Sequence, residues 1–262
     1  MALKRARLER SKTERSAEDL RARAVETRRN SQPHALRAAL GSRERLNVIA
    51  EFKRASPSKG VIRPRADGAQ MALAYEAGGA AAISVLTEED RFQGSLDDLR
   101  AVRAAVRIPV LRKDFIFEEY QLYETAAAGA DALLLIVAAL DDETLRRLRR
   151  VTEDELRMDA LVEVHTEDEM RRALSAGATL VGVNNRDLHS FKVSLEVSVE
   201  LARAATANVA LVAESGLRSS DDLRRLRALG YSGFLIGETL MRASEPEKTL
   251  RTLIDEASET PD

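Results

Sequence analysis

From residue 46 onward the chain alternates short apolar, often β-branched runs with longer charged segments whose apolar positions recur at three- and four-residue spacing. The runs Asn47–Phe52, Ala81–Leu86, Val110–Lys113, Ala132–Val137, Ala160–Val164, Leu180–Val183, Ala210–Glu214 and Gly233–Ile236 predict strands buried on both faces. Between them, Leu96–Val106, Glu119–Ala128, Asp142–Glu155, Glu167–Ala176, Leu195–Ala205 and Ser220–Leu229 read as helices. Thr166 before three acidic residues, and Ser219-Ser220 before Asp221-Asp222, mark helix starts. Gly78-Gly79, Gly129, Gly177 and Gly230 fall where left-handed C-caps would end helices. Eight strand-then-helix units predict an α/β protein, most simply an eight-stranded parallel (β/α)8 TIM barrel. An open doubly wound sheet is the alternative, but no Gly-x-Gly-x-x-Gly turn follows any strand.

Residues 1–45 precede the first strand and read as one or two extra helices, with Ser16-Ala-Glu-Asp19 as a start, expected to cover the open bottom of the barrel. The expected organisation is a helical extension over 1–45, a catalytic barrel over 46–256 and a tail over 257–262. A length of 262 residues suits one such barrel.

Composition narrows the chemistry. A formal charge of −2 gives no global attraction to nucleic acid or anionic membrane. The absence of cysteine excludes disulfides, thiolate metal sites and a cysteine nucleophile. No apolar run approaches the roughly 18–20 residues that span a bilayer. The first thirty residues carry ten Lys or Arg against five Asp or Glu, unlike a signal or transit peptide. A cytoplasmic protein, expected to be a monomer, is the default.

In a (β/α)8 barrel the active site lies at the C-terminal ends of the strands. Five of the apolar runs stop there in polar residues: Glu51 and Lys53, Lys113, Glu163, Asn184, and Glu214-Ser215. Strand alternation places Glu51 with Lys53, Lys113 with Leu111 and Phe115, and Glu163 with Leu161. Only 7 of the 41 Lys and Arg residues are Lys, yet Lys stands at 53, 59 and 113. A desolvated Lys, unlike Arg, can release its proton near neutral pH, so these positions point to proton transfer. Close Glu–Lys pairs supply a donor and an acceptor. Two further segments, Glu214-Ser-Gly-Leu-Arg-Ser-Ser and Leu235-Ile-Gly-Glu-Thr-Leu-Met, fit a phosphate grip after strands seven and eight. Glu238 fits that grip only if its carboxylate turns away from the anion.

These residues resemble the indole-3-glycerol phosphate synthase family. The matching runs are Ile49-Ala-Glu-Phe-Lys-Arg-Ala-Ser-Pro-Ser-Lys-Gly60, Ile83-Ser-Val-Leu-Thr-Glu88 with Phe92-Gln-Gly-Ser95, Pro109-Val-Leu-Arg-Lys-Asp-Phe115, Leu161-Val-Glu-Val164, Gly182-Val-Asn-Asn-Arg-Asp-Leu188, Ala213-Glu-Ser-Gly216 and Ile236-Gly-Glu-Thr-Leu-Met241. The resemblance covers roughly residues 46–256, with the runs in the family's order. It implies conversion of 1-(2-carboxyphenylamino)-1-deoxyribulose 5-phosphate to indole-3-glycerol phosphate, with loss of carbon dioxide and water and with no metal or organic cofactor. It further implies Lys113 as general acid, Glu163 as its acid/base partner and Lys53 as an anion-holding proton carrier, with Glu51 and Glu214 orienting the lysines. Asn184, Arg186 and Ser56 would bind substrate. Ser215, Gly216, Gly237 and Glu238 would form the phosphate loop, and Phe92, Phe115 and Leu188 would wall the aromatic ring. The motifs that carry the resemblance do not extend into the Arg-rich residues 1–45, so no substrate contact from the family's leading helix is carried over to this chain.

Other residues have simpler readings. His165 and His189 lack a third metal ligand and read as solvent-exposed or supporting histidines. The run Leu145–Arg150 reads as a helix with a solvated Arg face rather than a nucleic-acid site, and Tyr75, Tyr120 and Tyr123 read as packing residues. A phosphoribosylanthranilate isomerase would need a cysteine on the first strand, which this chain lacks. A catalytically silent scaffold would not need Lys53, Lys113 and Glu163. The loop Ser56–Asp67, with Lys59, Arg63 and Arg65, is expected to close over the anionic substrate.

Overall fold

The computed structural model describes residues 2–42, 44–187, 190–206 and 208–258. Eight strands close into a parallel barrel: β1 (Val48–Phe52), β2 (Ala82–Leu86), β3 (Val110–Lys113), β4 (Ala132–Ile136), β5 (Asp159–Val164), β6 (Leu180–Asn184), β7 (Ala210–Glu214) and β8 (Tyr231–Ile236). Each strand pairs with its neighbour in sequence, and β8 returns to β1 through Val48↔Phe234 and Ala50↔Ile236. All eight predicted strands form, with ends moved by at most two residues, and the open-sheet alternative is excluded by the closure.

Alternation divides the apolar residues between two cores. Val48, Ala50 and Phe52 point outward to the helices, whereas Ile49, Leu111, Leu134, Leu161, Val212 and Leu235 fill the barrel interior. The interior rows that begin at Ile49, Leu111, Leu161 and Val212 continue toward the mouth as Glu51, Lys113, Glu163 and Glu214. The same two-residue period that packs the floor therefore supplies the chemistry above it.

The outer layer contains α4 (Gly68–Ala77), α5 (Glu89–Phe92), α6 (Leu96–Ala105), α7 (Glu119–Ala127), α8 (Asp142–Arg150), α9 (Glu167–Ser175), α10 (Glu196–Ala202), α11 (Ser220–Ala228), α12 (Glu238–Arg242) and α13 (Pro246–Ser258). The expected caps form: Thr166 accepts from Glu169 N, and Ser219 from Asp222 N in a capping box. Gly79, Gly129, Gly177 and Gly230 take positive φ as C-caps, but Gly78 remains right-handed at φ −75. The helix expected over Asp142–Glu155 is α-helical to Arg150 and finishes as a π-turn over Val151–Glu155.

The segment before β1 differs from expectation. It holds three helices, α1 (Ala2–Glu14), α2 (Ala17–Arg29) and α3 (Ala35–Leu40), and Ser16 caps α2 through Asp19 N. Only α3 closes the bottom. Leu36 and Leu40 pack into the barrel floor, Arg37 N donates to Asp159 Oδ2 at 2.9 Å, and Asn47 Nδ2 donates to Leu40 O at 3.0 Å. The first helix lies at the opposite end, against the loops after β2 and β3. Lys4 pairs with Asp114 at 2.5 Å, Lys12 with Glu118 at 2.5 Å, and Arg7 with Asp90. The physical reason is composition: a plug for the barrel floor must bury apolar side chains, which α3 supplies. In α1 the charged residues dominate, and ion pairs with acidic loops hold it.

Candidate active site

The strands deliver five charged side chains to one cavity of about 730 Å³ at the C-terminal mouth. Lys113 ends β3, and its Nζ lies 3.0 Å from Glu163 Oε2 on β5 and 2.6 Å from Glu214 Oε2 on β7. Lys53, just beyond β1, is hydrogen-bonded to Glu51. Asn184, at the end of β6, accepts from Arg186 N at 3.0 Å and also reaches Glu163. The two carboxylates around Lys113 are deeply buried, with Glu214 at 1% and Glu163 at 3% side-chain exposure, while Lys113 keeps 14%.

The charge count has a consequence. Three carboxylates, Glu51, Glu163 and Glu214, face two ammonium groups, Lys53 and Lys113, so the cluster cannot be fully ionised and neutral. Burial pushes Glu214 up to about 7, reinforced by the charges of Glu163 and Glu51 and opposed by Lys113. Glu163 moves the other way: burial would raise it, but Lys113, His165 and a hydrogen bond from Asn184 hold it below the usual carboxylate range. The proton belongs on Glu214, whose Oε1 is buried without a hydrogen-bond partner. Lys113 departs from the sequence-based expectation of a lysine loosened by desolvation. Burial does lower its pKa, but the charges of Glu163, Glu214 and Glu51 outweigh that and raise it. In the free protein Lys113 is therefore an ammonium ion.

Two glycines make room for this cluster. A Cβ at Gly182 would overlap the Glu214 carboxylate, and one at Gly237 would overlap Glu51 Oε1 and lie 2.9 Å from Lys53 Nζ. The phosphate motif named Gly237, but the space it leaves serves the carboxylates as well. Gly182 was not singled out, although its inward place between Leu180 and Asn184 was readable from strand alternation.

The remaining predicted residues surround the same cavity. Ser56, Phe92, Phe115, Arg186, Ser215, Gly216 and Glu238 all line it, while Leu188 and His189 lie outside the described residues. Ser215 and Gly216 take φ of 65 and 82 in the turn after β7. Gly237 precedes the short helix α12. The Glu238 carboxylate is engaged by Arg242 at 3.1 Å and Lys59 at 3.5 Å. Part of the loop after β1 is a hairpin of Ala55–Ser56 with Gly60–Val61. Arg91, Arg218 and Arg242 also line the cavity. Arg218 belongs to the segment read as a phosphate grip, whereas Arg91 and Arg242 were missed because a basic residue in an Arg-rich chain carries no signal by itself. Among the described residues no group of three or more His, Cys, Asp or Glu is arranged to hold a metal ion.

A sequence profile described as indole-3-glycerol phosphate synthase matches residues 1–253, so the family's pattern also takes in the N-terminal helices that the motif resemblance over 46–256 did not reach. The chain belongs to the indole-3-glycerol phosphate synthase family. It is 48% identical over 240 residues to the indole-3-glycerol phosphate synthase of Carboxydothermus hydrogenoformans, covering 90% of each chain. It is 54% identical over 207 residues to that of Mycolicibacterium gilvum, covering 79% of this chain and 76% of the relative. Membership in this family makes the protein a carboxy-lyase of tryptophan biosynthesis. Solved structures add the fold alone. The 3-hexulose-6-phosphate synthase of Salmonella typhimurium superposes with a TM-score of 0.66 at 14% identity, covering 81% of this chain and 98% of that one. KGPDC from Streptococcus mutans superposes at 0.63 and 15%, covering 81% and 97%.

Proposed function

We propose that the cavity closes the indole ring of 1-(2-carboxyphenylamino)-1-deoxyribulose 5-phosphate by lysine–glutamate acid–base catalysis, giving indole-3-glycerol phosphate, carbon dioxide and water. The observation that carries this reading is Lys113 held between Glu163 and Glu214 at the base of the cavity. An ammonium ion there can protonate the substrate carbonyl oxygen while the ring carbon that bears the carboxylate attacks the carbonyl carbon. The new carbon–carbon bond forms, the carbon–carboxylate bond breaks, and its electron pair restores the aromatic ring. The resulting hydroxyl then leaves as water on taking a proton from Lys53, and Glu163 takes the carbon-bound proton whose loss completes the indole, so that one proton is consumed overall. Lys53, steadied by Glu51, holds substrate charge and shares proton transfer, and Glu214 orients Lys113.

The same reading gives Asn184, Arg186 and Ser56 to the substrate's polar groups and Phe92 and Phe115 to its ring. Ser215 and the backbone around Gly216, Gly237 and Glu238 would take the phosphate, with the Glu238 carboxylate kept on Lys59 and Arg242. No helix among the described residues is long and apolar enough to cross a membrane; that the enzyme works as a monomer in the cytoplasm is a separate part of the proposal. Incubation with the substrate should give a rising indole fluorescence over a protein background free of Trp. Folded protein that yields no indole product would overturn the reading.

A further inference from the structure

His165 stands two residues after Glu163, on the same face at the end of β5, and the reaction as described does not use it. Its ring bridges two carboxylates. Nε2 lies 3.4 Å from Glu163 Oε1, and Nδ1 lies 3.2 Å from Glu169 Oε2. The same Glu169 oxygen accepts the His165 backbone N–H at 2.7 Å, and Glu169 N is in turn bonded to Thr166 Oγ1 in the first turn of α9. The imidazole is therefore fixed from behind. An ionised Glu169 accepts hydrogen bonds only, which places a proton on Nδ1 and aims Nε2 at Glu163. Nε2 is buried and has no hydrogen-bond partner.

A bare Nε2 facing an ionised Glu163 would set two lone pairs against each other, so one proton belongs between them. On Nε2 it makes an imidazolium that holds Glu163 ionised. The groups facing His165 are Glu163 beside it, Glu214 from β7 and Glu169 from α9, with Lys113 on the far oxygen of Glu163. Burial alone would make the ring less basic, but the Glu169 hydrogen bond and the charges of Glu163, Glu169 and Glu214 raise its pKa above that of an ordinary histidine.

We propose that His165 is a positioning residue for Glu163: anchored by Glu169, it fixes the Oε1 end of the carboxylate and the shared proton while Lys113 fixes the Oε2 end. This rests on the assignment of Glu163 as the acid/base group, and the two can be tested apart. His165→Ala should lower kcat about tenfold or more, a fraction of the ~10²–10⁴ that a general acid or base supplies, with KM changed less than about twofold. Loss of the neighbouring positive charge makes Glu163 easier to protonate, so the acidic limb of kcat/KM should move to higher pH. His165→Gln keeps a donor without the titration and should recover part of the rate while its acidic limb stays displaced.

The pair Glu163→Gln and Glu163→Gln/His165→Ala completes the test, because a residue acting only through Glu163 adds no further loss once Glu163 is neutral. Losses that multiply in the double variant, or a parental kcat and acidic limb in His165→Ala, overturn the proposal. If His165→Ala does not fold by circular dichroism, the limb position of His165→Gln decides: displaced supports the proposal and parental overturns it. A Glu163→Gln variant of full activity overturns the acid/base assignment itself, whereas a slow Glu163→Gln beside an unaffected His165→Ala overturns only the role of His165.

Discussion

The Glu214 carboxylate occupies the volume that a side chain at Gly182 would fill. The two residues lie on adjacent strands, where Asn184 pairs with Glu214 in register and Gly182 with Val212. A glycine at 182 is thus what allows a carboxylate from β7 to lie across β6 and reach Lys113. Gly182→Ala should push Glu214 aside and lengthen its 2.6 Å pair with Lys113. The overpacking should cost about 1–3 kcal/mol, read as a lower melting temperature, together with a loss of turnover under conditions where the variant remains folded. Parental turnover in a folded Ala variant would show that Glu214 can leave its place without consequence.

Lys113 should be indispensable to turnover. Lys113→Met is expected to slow the reaction by about 10²–10⁴. It also leaves two buried carboxylates without their shared cation, so both should take up protons more readily, and stability should fall by an amount of the order seen on breaking buried pairs, about 3–5 kcal/mol. Lys113→Arg restores the charge but not a releasable proton, so its turnover should stay near that of the Met variant. Near-parental kcat in the Arg variant would remove Lys113 from proton transfer.

Glu214 should give the stability a pH dependence of unusual sign. Its folded pKa of about 7 exceeds the ordinary 4.5. Between those values the folded protein therefore binds a proton that the unfolded chain does not. By linkage this contribution is fully present below pH 4.5 and is lost as pH rises toward about 7. Glu163 and Asp114, whose pKa values are held down, slope the opposite way, so the test is a difference. The melting temperature of the parent minus that of Glu214→Gln should fall as the pH rises from 5 to 7.5. A gap that stays constant across that range would place the buried proton elsewhere.

The loop between β1 and α4 should close over ligand. Lys59 spans the mouth to Glu238 at 3.5 Å, a long contact between two partly exposed side chains, and exposed pairs of this kind contribute about 0–1 kcal/mol. Limited trypsin digestion should cut after Lys59 or Arg65, since Arg63 precedes Pro64. Reaction product should slow those cuts without protecting sites on the outer helices, with fragments assigned by mass spectrometry. Equal rates with and without product would leave the loop as a static surface segment.

The sequence by itself determined the barrel and which residues face its mouth. Both follow from local rules: a two-residue period on strands buried on both faces, and polar residues where those periods end. It placed Lys113, Glu163 and Glu214 on the inner face because each continues a row of apolar inner positions. It did not determine distances between strands. That Lys113 is shared by two glutamates, that Gly182 is empty for Glu214, and that His165 touches Glu163 while Glu169 holds its far side depend on closure of the barrel and on where α9 docks. The charge states follow from the same closure. Desolvation alone would loosen Lys113, and only the carboxylates brought in from β5 and β7 reverse that. The extension divided in the same way: the apolar side chains of α3 suit the floor, but the loops that hold α1 at the mouth are separated from it by some eighty or more residues of chain, and only the folded barrel brings their acidic side chains to its lysines and arginines.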